Sequence, residues 1–183
     1  MGKPKALLQI FGATFLEHIV GEAEGSGLSN VAIVLGHRPE RILHALPHLK
    51  GRVLINQDYE LGQLSSLQCG LKGLPASVDG VMVFLIDHPL VHRDLVNNLL
   101  EAFDGTPMPL VIPSFQNRRG HPIIWARELF GELLKAPLDQ SAVSVVRRHQ
   151  ERILHVNVED PGVLIDIDTP EAYEEYVIRR GRL

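Results

Sequence analysis

Residues 81–89 read VMVFLIDHP. Six apolar residues, Val81 to Ile86, run without interruption and then meet Asp87, with Asp79-Gly80 before them and His88-Pro89 after. So short a run, rich in β-branched and aromatic side chains, predicts a strand buried on both faces, as in a parallel sheet. Asp87 then falls at the carboxyl end of a central strand, the edge at which open α/β sheets bind ligands. A carboxylate there is either a metal ligand or a cap for the helical segment HRDLVNNLLEAF that follows, and strand position alone does not choose between them.

The 183 residues are enough for one domain with a substantial core and too few for two. An apolar fraction of 45% with 22% charged residues is ordinary for a soluble globular protein. The net charge of -4 and pI near 6.1 argue against a nucleic-acid or anionic-membrane partner. A single cysteine, Cys69, excludes an intrachain disulfide and fits a reducing compartment. No apolar run reaches membrane-spanning length. The front of the chain faintly resembles a signal peptide, but Gln9 and Glu17 interrupt it and no small-x-small site follows. A cytoplasmic location is the expectation.

Outward from the central strand, turn-formers separate alternating strand and helix patterns. Thr14-Phe-Leu-Glu17 is a capping box that opens a helix ending near Gly25 to Gly27. Val31 to Gly36 is a second buried-strand pattern, Pro39 starts a helix, and Arg52 to Ile55 is a strand ending in the turn Asn56-Gln57-Asp58. Ser65 and Ser66 stand near the start of a further helix. PLVIP, from Pro109 to Pro113, is a short strand, followed by a polar turn at 117–121 and the apolar run PIIWA. Helices are expected over Arg127 to Lys135 and over Asp139 to His149, the latter with Asp139 at its N-cap. Strands are expected at Ile153 to Val158 and Val163 to Ile167, before a helix started by Thr169-Pro170-Glu171 and ended near Arg179 and Arg180. This alternation predicts one α/β domain over residues 1–183 with helices on both faces of the sheet. Hairpin-like links near 113–123 and 158–163 make the sheet mixed.

Several residues could carry chemistry. Asp166 and Asp168 share one face if LIDID is a strand, and with Asp87 they would form an all-oxygen site for Mg²⁺. Alternatively one caps the last helix and the other is solvated. Lys3 and Lys5 flank Pro4 and would hold phosphates as point charges, or form an exposed polar end. Ser65 and Ser66 are donors for a nucleobase or phosphate, or plain caps. Arg118, Arg119 and His121 share one turn and could meet an anionic substrate. His88 and His121 lack a third ligand at a usual zinc interval. Cys69 reads as a buried structural thiol.

Taken in order, these pieces resemble the MobA-like nucleotidyltransferases, and more closely their molybdenum cofactor cytidylyltransferase (MocA-like) branch. The resemblance rests on MGKPKALL, FGATFLEHIV, VAIVLGH, NQDYELGQLSSLQCGL, LIDHPLV, NRRGHPIIW and LIDIDTPEAY, and covers nearly the whole chain. It implies a three-layer α/β/α Rossmann-like (GT-A-like) fold with a mostly parallel mixed sheet. It also implies transfer of CMP or GMP from CTP or GTP to molybdopterin with release of pyrophosphate, dependent on Mg²⁺ (or Mn²⁺). A molybdenum hydroxylase apoenzyme is the implied downstream partner. By matched position, Asp87 and Asp168 hold the metal and Lys5 neutralises the triphosphate. Ser66 contacts the base or ribose, with Lys3 and Ser65 beside that nucleotide site. His88, Arg119, Gly120 and His121 are the implied substrate-binding residues, on the wall facing the pterin.

Two departures bear on this. His88 stands where the family usually has Gln or Met, which puts substrate preference in doubt. The family's first strand and its loop like Leu-Ala-Ala-Gly-x-Ser-x-Arg precede Met-Gly, whereas this sequence begins at that Met. Between the strands matching Val31 to Leu35 and Val81 to Ile86 a gap is then expected, where each buried unpaired backbone group costs about 1–3 kcal/mol. The expectations are an authentic start upstream of Met1 and weak nucleotide binding by the sequence as given. Other readings are a sugar-phosphate nucleotidyltransferase, or a catalytically degenerate homologue that binds or delivers a pterin cofactor.

Overall fold

A computed structural model describes residues 3–28, 30–49 and 52–179; Met1, Gly2 and Arg180, used above, lie outside them. A 3₁₀ turn, Lys5–Leu7, leads into a hairpin of β1 (Gln9–Ile10) and β2 (Ala13–Thr14). Phe11 and Gly12 form its tip with φ of 48° and 83°, the two positive values that a tight primed turn requires. The expected capping box opens α1 (Phe15–Gly25): Glu17 N–H donates to Thr14 Oγ1 at 3.2 Å and Thr14 N–H to Glu17 Oε2 at 3.0 Å. Next come β3 (Ala32–Leu35), α2 (Pro39–Ala45), β4 (Arg52–Ile55), α3 (Gln63–Lys72) and β5 (Gly80–Val83). They are followed by α4 (Arg93–Asp104), β6 (Leu110–Phe115), β7 (Arg118–Arg119) and β8 (Ile123–Ala126). The chain continues through α5 (Phe130–Lys135), α6 (Val143–Arg148) and β9 (Ile153–Asn157), and ends in α7 (Pro170–Tyr173), prolonged as a π-helical stretch over Glu174–Arg179.

The main sheet runs β5-β8-β6-β7, with β9 also on β6. Period-two alternation sorts its side chains to two faces. Leu110, Ile112, Trp125 and Ile153 pack with Leu64 and Leu71 of α3, Leu133 of α5 and Val145 of α6. Val111 and Ile124 face the other way, against Leu95 and Leu99 of α4. β3 and β4 form a separate parallel pair whose Ile33 and Leu35 pack on Leu16 and Val20 of α1 and Ile42 of α2. On its other side Leu54 lies so close to Gly73 that a Cβ there would meet it at 2.6 Å. The three-layer α/β/α Rossmann-like arrangement is as expected.

Five expectations are corrected. The run Val81 to Ile86 is not a strand buried on both faces of a parallel sheet. β5 stops at Val83, all four of its residues are half-buried, and its ladder is antiparallel, to β8. Val83 pairs with Ile123, so the next partner is Pro122, which has no N–H to extend the ladder. Parallel pairing does not dominate: β3–β4 and β6–β9 are parallel and the remaining ladders antiparallel. Val163 to Ile167 is not a strand. Asp160 accepts from Gly162 N–H at 2.7 Å and winds Pro161–Leu164 into a 3₁₀ turn. Asp139 does not cap α6, which starts after Ala142, because Pro137 to Gln140 closes a turn of its own. Cys69 is half-exposed, not buried, its Sγ 3.9 Å from the Ile55 carbonyl.

Candidate metal and nucleotide site

Asp87 sits in a turn closed by His88 N–H on the Leu85 carbonyl at 3.1 Å. It caps nothing: the N-cap of α4 is His92, and Glu22 takes the Arg93 N–H. Ile167 N–H donates to the Asp87 carbonyl at 2.8 Å, which straps the C-terminal segment to this turn. Ile167 is fully buried beside Ile10, Phe15 and Leu90. Burial of that one residue holds its neighbours Asp166 and Asp168 out of the core. The last helix is capped by Thr169, whose Oγ1 accepts from Ala172 N–H at 3.1 Å, so neither aspartate is needed as a cap. Asp87, Asp166 and Asp168 can each offer an oxygen with all three within 4.8 Å of one another.

Like charges at this spacing repel by about 1 kcal/mol per pair in water and by more away from it. Lys5, held at the end of the chain by the buried Ala6, offsets part of this through an ion pair with Asp168. An all-carboxylate, anionic donor set suits a hard divalent cation such as Mg²⁺ or Mn²⁺ and not a soft one.

His88 and His121 lie against this cluster. Their ring centroids are 4.7 Å apart at 45°, and the Nδ1 of each is buried without a hydrogen-bond partner. Burial, and then the His88 ring, push the His121 pKa down to about 4, against the opposing pull of Asp87. His121 N–H is fixed to the Val163 carbonyl at 2.9 Å. Gly120 before it passes so near that carbonyl that a Cβ would meet its oxygen at 2.5 Å.

The serines sit elsewhere. Asn56, 4% exposed at the end of β4, donates from Nδ2 to Ser65 Oγ at 2.8 Å and Ser66 Oγ at 3.0 Å, and accepts from Asp58 N–H at 3.0 Å. Ser65 Oγ also lies within hydrogen-bond distance of the Asp58 and Gly62 carbonyls, so its hydroxyl is used in closing the turn. Ser66 Oγ accepts from Asn56, and among the described residues its own proton meets no acceptor. In the sequence Asn56 was legible as a turn signal and as the first residue of NQDYELGQLSSLQCGL, but not as the partner of both serines. Lys3, Arg118 and Arg119 are exposed. Among the described residues no hydrogen bond or ion pair joins Lys3, Ser65, Ser66 or Arg119 to the carboxylate cluster. Burial, and then Arg119, hold the His155 pKa below its ordinary value, which places that guanidinium near β9.

The family model for the MobA-like NTP transferase domain matches residues 1–153. The chain belongs to that family. A curated relative, the bifunctional protein GlmU of Francisella tularensis subsp. novicida, is 27% identical over 150 residues, covering 81% of this chain and 32% of that protein. This MobA-like chain therefore spans about a third of the length of the curated relatives it matches. Rv0371c from Mycobacterium tuberculosis H37Rv superposes with a TM-score of 0.84 at 23% identity, over 97% of this chain and 90% of that one. The structure of Rv0371c complexed with manganese gives 0.82 at 22% identity, over 96% and 92%. Molybdopterin-guanine dinucleotide biosynthesis protein A from Archaeoglobus fulgidus gives 0.73 at 14% identity, over 100% and 93%. At these identities the likeness is one of fold. No helix among the described residues is long and apolar enough to cross a membrane.

Proposed function

We propose that this MobA-like chain is a divalent-metal-dependent nucleotidyltransferase that moves CMP or GMP from CTP or GTP onto the phosphate of molybdopterin. An oxygen of the acceptor phosphate forms a bond to the α-phosphorus. The bond from that phosphorus to the α–β bridging oxygen breaks, and its electron pair leaves with pyrophosphate. Such chemistry needs in-line positioning and charge neutralisation more than covalent help from the protein. The observation that carries the reading is the convergence of Asp87, Asp166 and Asp168 beside Lys5. Bound there, the cation would neutralise charge on the phosphates. Lys5 adds a positive charge and Ser66 a free donor. The carboxylates hold their spacing through the buried Ile167. The family supports nucleotidyl transfer, and the fold likeness to the Archaeoglobus protein supports a molybdopterin-type acceptor. The manganese carried by Rv0371c supports trying Mn²⁺ beside Mg²⁺.

The test is pyrophosphate release with CTP or GTP, molybdopterin and Mg²⁺ or Mn²⁺. Asp87→Asn is expected to lower the rate by ~10²-fold or more with the fold intact by circular dichroism. Release with a sugar phosphate but not molybdopterin would move the reading to a sugar-phosphate enzyme. Molybdopterin binding with no release from either nucleotide would make the chain a pterin carrier. An undiminished rate in Asp87→Asn would remove the carboxylate site from the chemistry.

A further inference from the structure

β9 is an edge strand: among the described residues its only ladder is the parallel one to β6. Alternate residues of a strand point their main-chain groups to opposite sides. Just past the strand, Val158 N–H donates to the Ser114 carbonyl of β6 at 3.0 Å. The even-numbered residues Leu154 and Val156 therefore bond to β6, while Ile153, His155 and Asn157 turn N–H and C=O away from the sheet. An edge left in this way is a template for another strand, and proteins commonly blunt it with charge or proline. β7 consists of two arginines, and β4 opens on Arg52. β9, ILHVN, has neither a proline nor a fixed charge.

The side chains say what fits there. Leu154 and Val156 are half-buried on the face that packs over Val111 and Ile124, with Val158 and Leu164 half-buried beside them, so an apolar rim follows the open edge. His155 and Asn157 are exposed. The strand is also complementary to itself. Laid antiparallel about a two-fold axis at His155, it sets His155 against His155, Ile153 against Asn157 and Leu154 against Val156. The outward main-chain groups then fall at the hydrogen-bonded pairs, and the apolar side chains at the closer non-hydrogen-bonded pairs, where they touch. Any other register leaves an end of the strand unpaired. We infer that the partner of this edge is a second copy of the chain, with the two β9 strands joining both main sheets into one. Such an isologous contact closes on itself and does not propagate. It does not depend on the nucleotidyl-transfer reading.

The test is sedimentation equilibrium of the full chain at pH ~8, above the histidine range. Concentrations run from about 1 µM to about 1 mM, where so small an interface would associate. Expected is a species of twice the 20.3 kDa chain mass. The Ile153, His155 and Asn157 amides should exchange slowly in it and quickly on dilution. His155→Pro removes an N–H that β6 does not use, and should be monomeric with an unchanged circular dichroism spectrum. His155→Lys and His155→Glu should each weaken the dimer by ~5-fold or more, since like charges meet across the central pair, and an equal mixture of the two should recover it. His155→Thr, a neutral strand former, should dimerise like the parent. A monomer at every concentration would overturn the inference. So would a dimer that both charged variants leave intact, or a mixture no tighter than either variant alone. The charged variants keep every bond to β6, so they decide the matter even if His155→Pro does not fold.

Discussion

Gly120 shows how one residue can be set by a neighbour far away in sequence. Its missing Cβ lets the backbone pass the Val163 carbonyl, and the next amide bonds to the same oxygen. Gly120→Ala must push that carbonyl or the His121 loop aside, so a loss of about 1–3 kcal/mol is expected by denaturant titration, the usual cost of overpacking. His18 carries a pH effect. Its Nε2–H donates to the Val91 carbonyl at 2.9 Å, and burial holds its pKa below the ordinary value. The unfolded chain therefore binds this proton more readily, and stability falls as pH drops through the ordinary histidine range toward the folded pKa. His18→Gln, which keeps a donor for Val91, should flatten that slope in unfolding curves taken between pH 7 and 5. At this scale Asp87, Asp166 and Asp168 were legible, because short-range pattern and order along the chain point to them. His88 and His121 were legible one by one, but their ring contact and the bonds from Asn56 to the serines were not, because spacing does not encode such contacts.

Elements were legible where their signals are local. The Thr14–Glu17 box needs only four consecutive residues, and it forms as read. Thr14→Ala should cost about 1 kcal/mol, which for a chain of this size lowers Tm by roughly 2–4 °C in a thermal melt. Elements failed where a distant partner decides. The apolar run after Gly80 would extend to Ile86 on composition alone, but its partner strand ends at Pro122, and so does the ladder. The run from Val163 has strand composition as well. There the Asp160 cap winds the first residues into a 3₁₀ turn, and the Ile167–Asp87 bond positions the remainder. The expected strand carrying two aspartates on one face was wrong in type. Yet it gave the right juxtaposition, because burial of Ile167 separates core-facing from outward residues just as a pleat does.

Across the whole molecule, the carboxylate site joins segments that leave the main sheet by two different strands, β5 and β9. Asp87 follows β5, whereas Asp166 and Asp168 lie beyond residue 153, where the family match ends. One main-chain bond and the burial of Ile167 with Ile10, Phe15 and Leu90 hold the two parts together, while the three carboxylates push them apart. A divalent cation bound to all three would reverse the electrostatic sign of that junction, so its binding should appear as global stability. At ten times its dissociation constant the gain is about 1.4 kcal/mol, or roughly 3–6 °C in Tm for a domain of this size. Mg²⁺ and Mn²⁺ should both raise the melting temperature, and they should also slow proteolysis of the segment after Asn157. Asp166→Asn with Asp168→Asn should melt no lower than the parent without metal, since repulsion is relieved, and should lose the response to metal. A metal-dependent rise of equal size in that double variant would place the cation elsewhere and leave the three aspartates as surface charge.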